Sequence, residues 1–185
     1  MALPTARLVV SLRETAVRLR ASSAVYKWSH FGHCNCGHLA QTITGRSARE
    51  IYDAAFVRSG DWGQQARDLD RPDYGDRPAI DEGAFEHQGR ELCSVTGSPL
   101  EEVLAEMYAV GLDRDDIDRL EDLSDGEVLR YLGASTTGLV RHAREDVVRY
   151  LEGWAGLLEQ RLSPLERARL AMMESPEDLA IAAEE

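Results

Sequence analysis

The feature that most constrains this chain is an apolar stripe running from about Arg144 to Leu162. Val147, Tyr150, Leu151, Trp154, Leu157, Leu158 and Leu162 recur at three- and four-residue spacing, which puts them on one broad face of an α-helix. A face that wide has to be covered by other parts of the fold. Along the rest of the chain helices recur and convincing strands do not, so the partners are expected to be helices too.

Other helices announce themselves by their ends. Leu8, Leu12, Ala16 and Leu19 form an apolar stripe on a first helix at about 5–25. Asn35 reads as the N-cap of a short helix through Leu39, Ala40 and Ile43, with Gly45 closing it. Ser47 and Glu50 make a capping box ahead of Ile51, Ala54, Ala55 and Val57. Ser98-Pro99-Leu100-Glu101 starts a helix with proline in its first turn, and Leu100, Val103, Leu104, Met107 and Tyr108 continue it to Gly111. Asp113 opens a helix containing Ile117 and Leu120, Ser124 opens one with Val128 and Leu129, and Ser163-Pro164-Leu165-Glu166 repeats the cap-plus-proline start. Between Gly60 and Gly97 periodicity gives way to Pro72, Gly75, Pro78, Gly83 and Gly89, so residues of about 60–97 are read as a long irregular loop. Residues of about 176–185 are expected to fray. The reading is all-α: a single irregular helical bundle over residues 1–185, a length that suits one domain.

Charge narrows the function. The chain carries a net −12, which excludes generic binding to a phosphate backbone. Residues 1–50 are nevertheless +5 and the remainder −17. The simplest arrangement is an arginine-rich first helix packed on an acidic bundle; the alternative is that the basic part meets an anion. No apolar run approaches the ~18 residues of a membrane span, and Leu8-Val9-Val10 is too short for a secretory core. A cytoplasmic location is the expectation, in which the three cysteines are expected to be free, catalytic or metal-bound rather than paired.

The chemistry concentrates in His30-Phe31-Gly32-His33-Cys34-Asn35-Cys36-Gly37-His38, which holds two of the three cysteines and three of the five histidines. Thiolate and imidazole are the preferred ligands of zinc and also suit iron. Gly32 and Gly37 let the backbone curl closely there. Cys93, at the far end of the loop, would supply a third thiolate and tether that loop. The expected metal ligands are His30, Cys34, Cys36 and Cys93, with His33 and His38 as alternatives to His30. An all-cysteine iron–sulfur cluster would need a fourth thiol. A second reading uses the same residues without metal: Cys36, just after the cap, as a nucleophilic or redox thiolate with a histidine as proton acceptor. His38 and Gln41, three apart on one helix face, would then be the other candidates to touch a small, possibly anionic substrate, and Gln41 could equally support a ligand.

Tyr26-Lys27-Trp28-Ser29-His30-Phe31-Gly32-His33-Cys34-Asn35-Cys36-Gly37-His38-Leu39-Ala40-Gln41, then Gly60-Asp61-Trp62, Cys93 with Thr96-Gly97-Ser98-Pro99, and Leu120-Glu121-Asp122-Leu123-Ser124-Asp125 together resemble a family of bacterial proteins of unassigned function. The likeness spans about residues 20–130. His30, Cys34, Asn35, Cys36, Gly37, Gln41 and Cys93 match its pattern; His33 and His38 depart from it, and the stretch between Trp62 and Cys93 is longer here. The resemblance implies no activity. Trp28, Phe31, Trp62 and Tyr74 read first as core or loop anchors. His87 and His142 read as ordinary hydrogen-bonding residues, and the acidic run Asp113–Asp125 as a solvated helical face without an EF-hand loop. The expectation is a zinc-binding protein, with iron as the alternative metal, whose centre is structural or regulatory and meets a protein or small-molecule partner. A metal- or thiol-dependent enzyme is the alternative.

Overall fold

A computed structural model describes residues 1–55, 61–68, 99–133 and 138–174. Among these, nine helices and no strand are found: α1 (Ala6–Arg20), α2 (Asn35–Thr44), α3 (Ala48–Ala55), α4 (Trp62–Asp68), α5 (Pro99–Ala109), α6 (Arg114–Asp122), α7 (Gly126–Tyr131), α8 (Arg144–Gln160) and α9 (Pro164–Met173). The all-α reading holds. Cys93, His87, Tyr74, Val57 and the residues from 175 onward lie outside the described residues.

The long stripe does what its width demands. Val147, Tyr150, Leu151, Trp154, Leu157 and Leu158 of α8 are all buried, and α8 makes its most extensive contact with α1, whose Leu8, Leu12, Ala16 and Leu19 are buried in turn. Each such leucine withdrawn from water contributes about 1.5–3 kcal/mol. Arg13 pairs with Glu159 at 2.6 Å and with Glu174, and Arg20 pairs with Glu152. Arg46 reaches Glu102 and Glu106 on α5. The basic N-terminal part thus faces acidic helices, which uses up much of the charge that an anionic ligand would need.

Several boundaries differ from expectation for local reasons. α1 stops at Arg20, not near residue 25, because Ala21 turns to extended backbone at φ −63°, ψ 133°. The cap of α2 is Cys34, one residue before Asn35. The first part of the expected loop is a helix: Asp61 Oδ1 accepts the Gln64 amide at 2.7 Å and its carbonyl accepts Gln65 at 2.9 Å, nucleating α4. α7 is capped by Asp125, whose Oδ1 takes the Glu127 and Val128 amides, rather than by Ser124, because Leu123 is left-handed at φ 53° and delays the start by a residue. The capping boxes of Ser47 with Glu50 and of Asp113 with Asp116 both form, and Ser163 caps α9. The acidic run is not solvated throughout. Asp116 and Asp125 are buried as helix-capping groups, and Asp116 also meets the Met1 ammonium at 3.4 Å.

Candidate functional site

The His30–His38 segment is a tight turn that feeds α2. His30 N–H donates to Lys27 O, His33 and Cys34 N–H both donate to His30 O, and Lys27 N–H closes back onto His33 O. Two glycines make the fit possible. A Cβ on Gly37 would run into the Phe31 carbonyl oxygen, and one on Gly32 into the Ala48 carbonyl. The close approach is backbone on backbone, which is where side chains cannot be accommodated.

Cys34 sits at the N-terminus of α2 with its sulfur turned onto the exposed amides. Sγ accepts the Gly37 N–H at 3.4 Å, and the Cys36 amide and the Trp62 side chain also favour its charged form. The thiol proton is directed to the Phe31 carbonyl oxygen at 3.5 Å. Burial nevertheless outweighs these donors and pushes the Cys34 thiol up to about 12. Cys36 is completely buried and its thiol points to the Ile117 carbonyl oxygen of α6 at 3.5 Å. Burial first, then Cys34, Glu121, Asp61 and Asp118, raise its pKa well above the usual value. Burial therefore favours the protonated form of both thiols.

Asn35, expected as the cap, is instead a clamp. Its Nδ2 donates to the carbonyls of Leu120 at 3.2 Å and Glu121 at 3.0 Å, at the end of α6, while its Oδ1 lies 2.6 Å from the Tyr26 hydroxyl. Gln41 has a similar job. Its Nε2 donates to Gly32 O at 2.6 Å and Gly37 O at 3.2 Å, bracing the cysteine turn from the next turn of α2. Both bonds go to backbone carbonyls and neither to a sulfur or an imidazole.

The histidines divide. His30 accepts the Gly32 N–H on Nδ1 at 3.2 Å and its ring lies 4.4 Å from Tyr52 and 4.6 Å from His33. Burial and the neighbouring His33 lower its pKa. His38 is buried, with Nε2 at 3.0 Å from the Val25 carbonyl, so that nitrogen carries the proton while Nδ1 is a buried acceptor without a partner. Burial pushes His38 down to about 4, and it is neutral. Among the described residues no three of His, Cys, Asp and Glu come together as a group able to hold a metal ion. His30, Cys34 and Cys36 are therefore not gathered into a ready set of three, and Cys93 lies outside the described residues.

Sequence reading missed Glu121. It projects from α6 beside both thiols, its Oε2 accepts the Gly63 N–H at 3.2 Å, and burial followed by Asp61, Asp122 and Asp118 pushes it up to about 7. Its only signal was its place in the Leu120–Asp125 motif. Trp28 and Trp62 are anchors: the Trp28 indole donates to Glu121 O under the Arg141 guanidinium, and Trp62 donates to Phe31 O at 3.3 Å. A cavity of about 430 Å³ lies elsewhere, lined by Thr5, Ala6, Val110, Met172 and Met173 among others, and includes none of the expected site residues. Comparison of the chain with protein-family models, with curated proteins and with solved structures finds no match, so these residues alone carry the functional argument.

Proposed function

We propose that this is a metal-binding helical protein whose centre holds zinc, with iron as the alternative, through Cys34, Cys36, Cys93 and a histidine, His30 being the first choice. The observation that carries the reading is the buried Cys34 sulfur at the N-terminus of α2, where it accepts the Gly37 amide at 3.4 Å. A donor on a buried sulfur favours its charged form, and surrounding groups of this kind orient and tune metal ligands. A dication supplies the missing term, because it offsets the burial that otherwise keeps the thiols protonated, and its binding releases their protons. His30 is compatible, since its Nδ1 is occupied by the Gly32 amide and its other ring nitrogen remains to bind.

The centre is structural or regulatory on this reading. Asn35 and Gln41 both spend their amides on backbone, so the turn is braced rather than presented to a substrate. The test is elemental analysis of the chain purified without added metal. Close to one zinc or iron per chain is expected; substoichiometric amounts of both, with all three thiols freely titratable, would refute the proposal.

A further inference from the structure

The cavity of about 430 Å³ away from the cysteine turn lies where the start of α1, the end of α5 and the last turn of α9 come together. It exists because α9 leans on α1 through Leu170, its one buried residue, and leaves Met172 and Met173 beside the end of α5. Ala109, Val110, Met172 and Met173 give it an apolar wall. The Thr5 hydroxyl adds no free polar group, because it donates to the Val110 carbonyl at 2.6 Å and accepts the Leu8 amide at 3.1 Å. Met172 is 72% exposed and Met173 41%, and Leu3, whose amide is bound to Gly111 O next to Val110, is 68% exposed. Single exposed apolar side chains are ordinary, whereas several collected around one concavity mark a ligand groove, and thioether side chains adapt readily to what enters it.

Three charged side chains, Arg7, Glu166 and Arg169, also line the cavity. Glu166 is already committed: its Oε2 accepts the Ala6 N–H at 2.8 Å at the start of α1, and its Oε1 takes Arg169. Arg7 is not. Arg13 of the same helix pairs with Glu159 and Glu174, and Arg20 with Glu152, whereas among the described residues Arg7 pairs with no carboxylate and gives Nη2–H to Ile43 O at 3.3 Å. Two guanidiniums against one carboxylate leave a single positive charge at this opening, on a chain whose total is −12. We infer that the cavity is a binding site for a small amphipathic carboxylate, its hydrocarbon part lying on Val110, Met172 and Met173 and its carboxylate on Arg7. The planar guanidinium matches a carboxylate in geometry and charge, and a neutral or cationic apolar ligand would leave it unanswered. The site shares no residue with the cysteine turn, so the inference stands apart from the metal-binding reading.

The experiment uses the full chain, carbon-13-labelled at its methionine methyl groups, with decanoate as the probe, kept below the concentration at which it forms micelles. Of the four methionines, Met172 and Met173 report on the cavity and Met1 and Met107 serve as controls. The Met172 and Met173 resonances should move saturably with decanoate while the controls move far less, and decanol and decyltrimethylammonium should bind about tenfold more weakly or worse. Arg7→Gln should remove the preference for decanoate over decanol. Ala109→Phe, at an exposed position on the cavity wall, should abolish decanoate binding and leave thermal unfolding unchanged. Decanol bound as tightly as decanoate by wild type, decanoate binding retained in Ala109→Phe, or Met172 and Met173 resonances that stay in place would each overturn the inference. So would sedimentation that finds a dimer dissociated by Met172→Glu, because a second copy of the chain then covers the cavity.

Discussion

Replacing Asn35 by alanine should cost about 2–4 kcal/mol of folding stability, and the figure can be assembled from its partners. The side chain is completely buried. It makes two firm donor bonds, to Glu121 O at 3.0 Å and Leu120 O at 3.2 Å, and Tyr26 lies 2.6 Å from its oxygen; a further approach to Arg141 O at 3.5 Å is too long to count. The groups left behind are not wholly stranded. Glu121 O keeps the Trp28 indole, Leu120 O keeps the Leu123 amide, and the Tyr26 hydroxyl keeps Arg141 O. The loss is therefore close to three net hydrogen bonds at about 0.5–1.5 kcal/mol each, with a small cavity added, not three full desolvation penalties. Asn35→Asp should be worse, because it turns a carboxylate oxygen toward two carbonyl oxygens in a buried site. Urea unfolding followed by circular dichroism measures both. An alanine variant within about 0.5 kcal/mol of wild type, or an aspartate variant more stable than the alanine one, would refute the clamp.

Gly37→Ala should destabilise by roughly 3 kcal/mol or more, since its Cβ meets the Phe31 backbone, whereas Gly45→Ala has open space and should cost only about 1 kcal/mol for its φ of +69°; the same unfolding assay ranks them. His38, depressed to about 4 when folded against an unfolded value near 6.5, takes up its proton more readily in the unfolded chain. Its burden should be absent above pH 6.5 and grow as pH falls toward 4, on the order of 2–3 kcal/mol, and the midpoint in urea of His38→Gln should fall less steeply over that window. Glu121 has the opposite sign: raised to about 7, it is protonated in the fold before it is in the unfolded chain, so its contribution improves as pH falls from 7 to about 4.5. In metal-free protein Glu121→Gln should gain about 1–2 kcal/mol at pH 8 and lose that advantage near pH 4.5, and equal midpoints at both pH values would count against a buried carboxyl. Cys93→Ser should lower the melting temperature of the metal-loaded chain and leave the chelated chain nearly unchanged, because metal-binding free energy is then folding free energy.

What could be read in advance was local. Ser47 with Glu50, Asp113 with Asp116 and Ser163 before Pro164 place their helices because a capping side chain answers amides two or three residues away. Asn35 was misplaced as a cap for the converse reason: the carbonyls at the end of α6, some 85 residues on, outcompete the amides of its own helix. Cys34 then takes the cap, a position at which serine, threonine, aspartate or asparagine is usual. α4 was hidden by the Gly/Pro/Asp-rich composition after Gly60, where Asp61 served equally well as a loop residue or a cap. The cysteine–histidine cluster was evident from sequence, yet its surroundings were not. Trp62 on α4 reaches the Phe31 carbonyl of the cysteine turn, and Glu121 on α6 takes the Gly63 amide of α4, only once these helices pack together, and no periodicity records that meeting.

The central claim is that Cys34, Cys36 and Cys93 share one ion with a histidine, and X-ray absorption at the edge of the resident metal examines it most directly. For zinc, the account predicts three sulfur neighbours at about 2.3 Å and one nitrogen at about 2.0–2.1 Å. A shell of oxygen and nitrogen alone, or one with no more than a single sulfur, would contradict it.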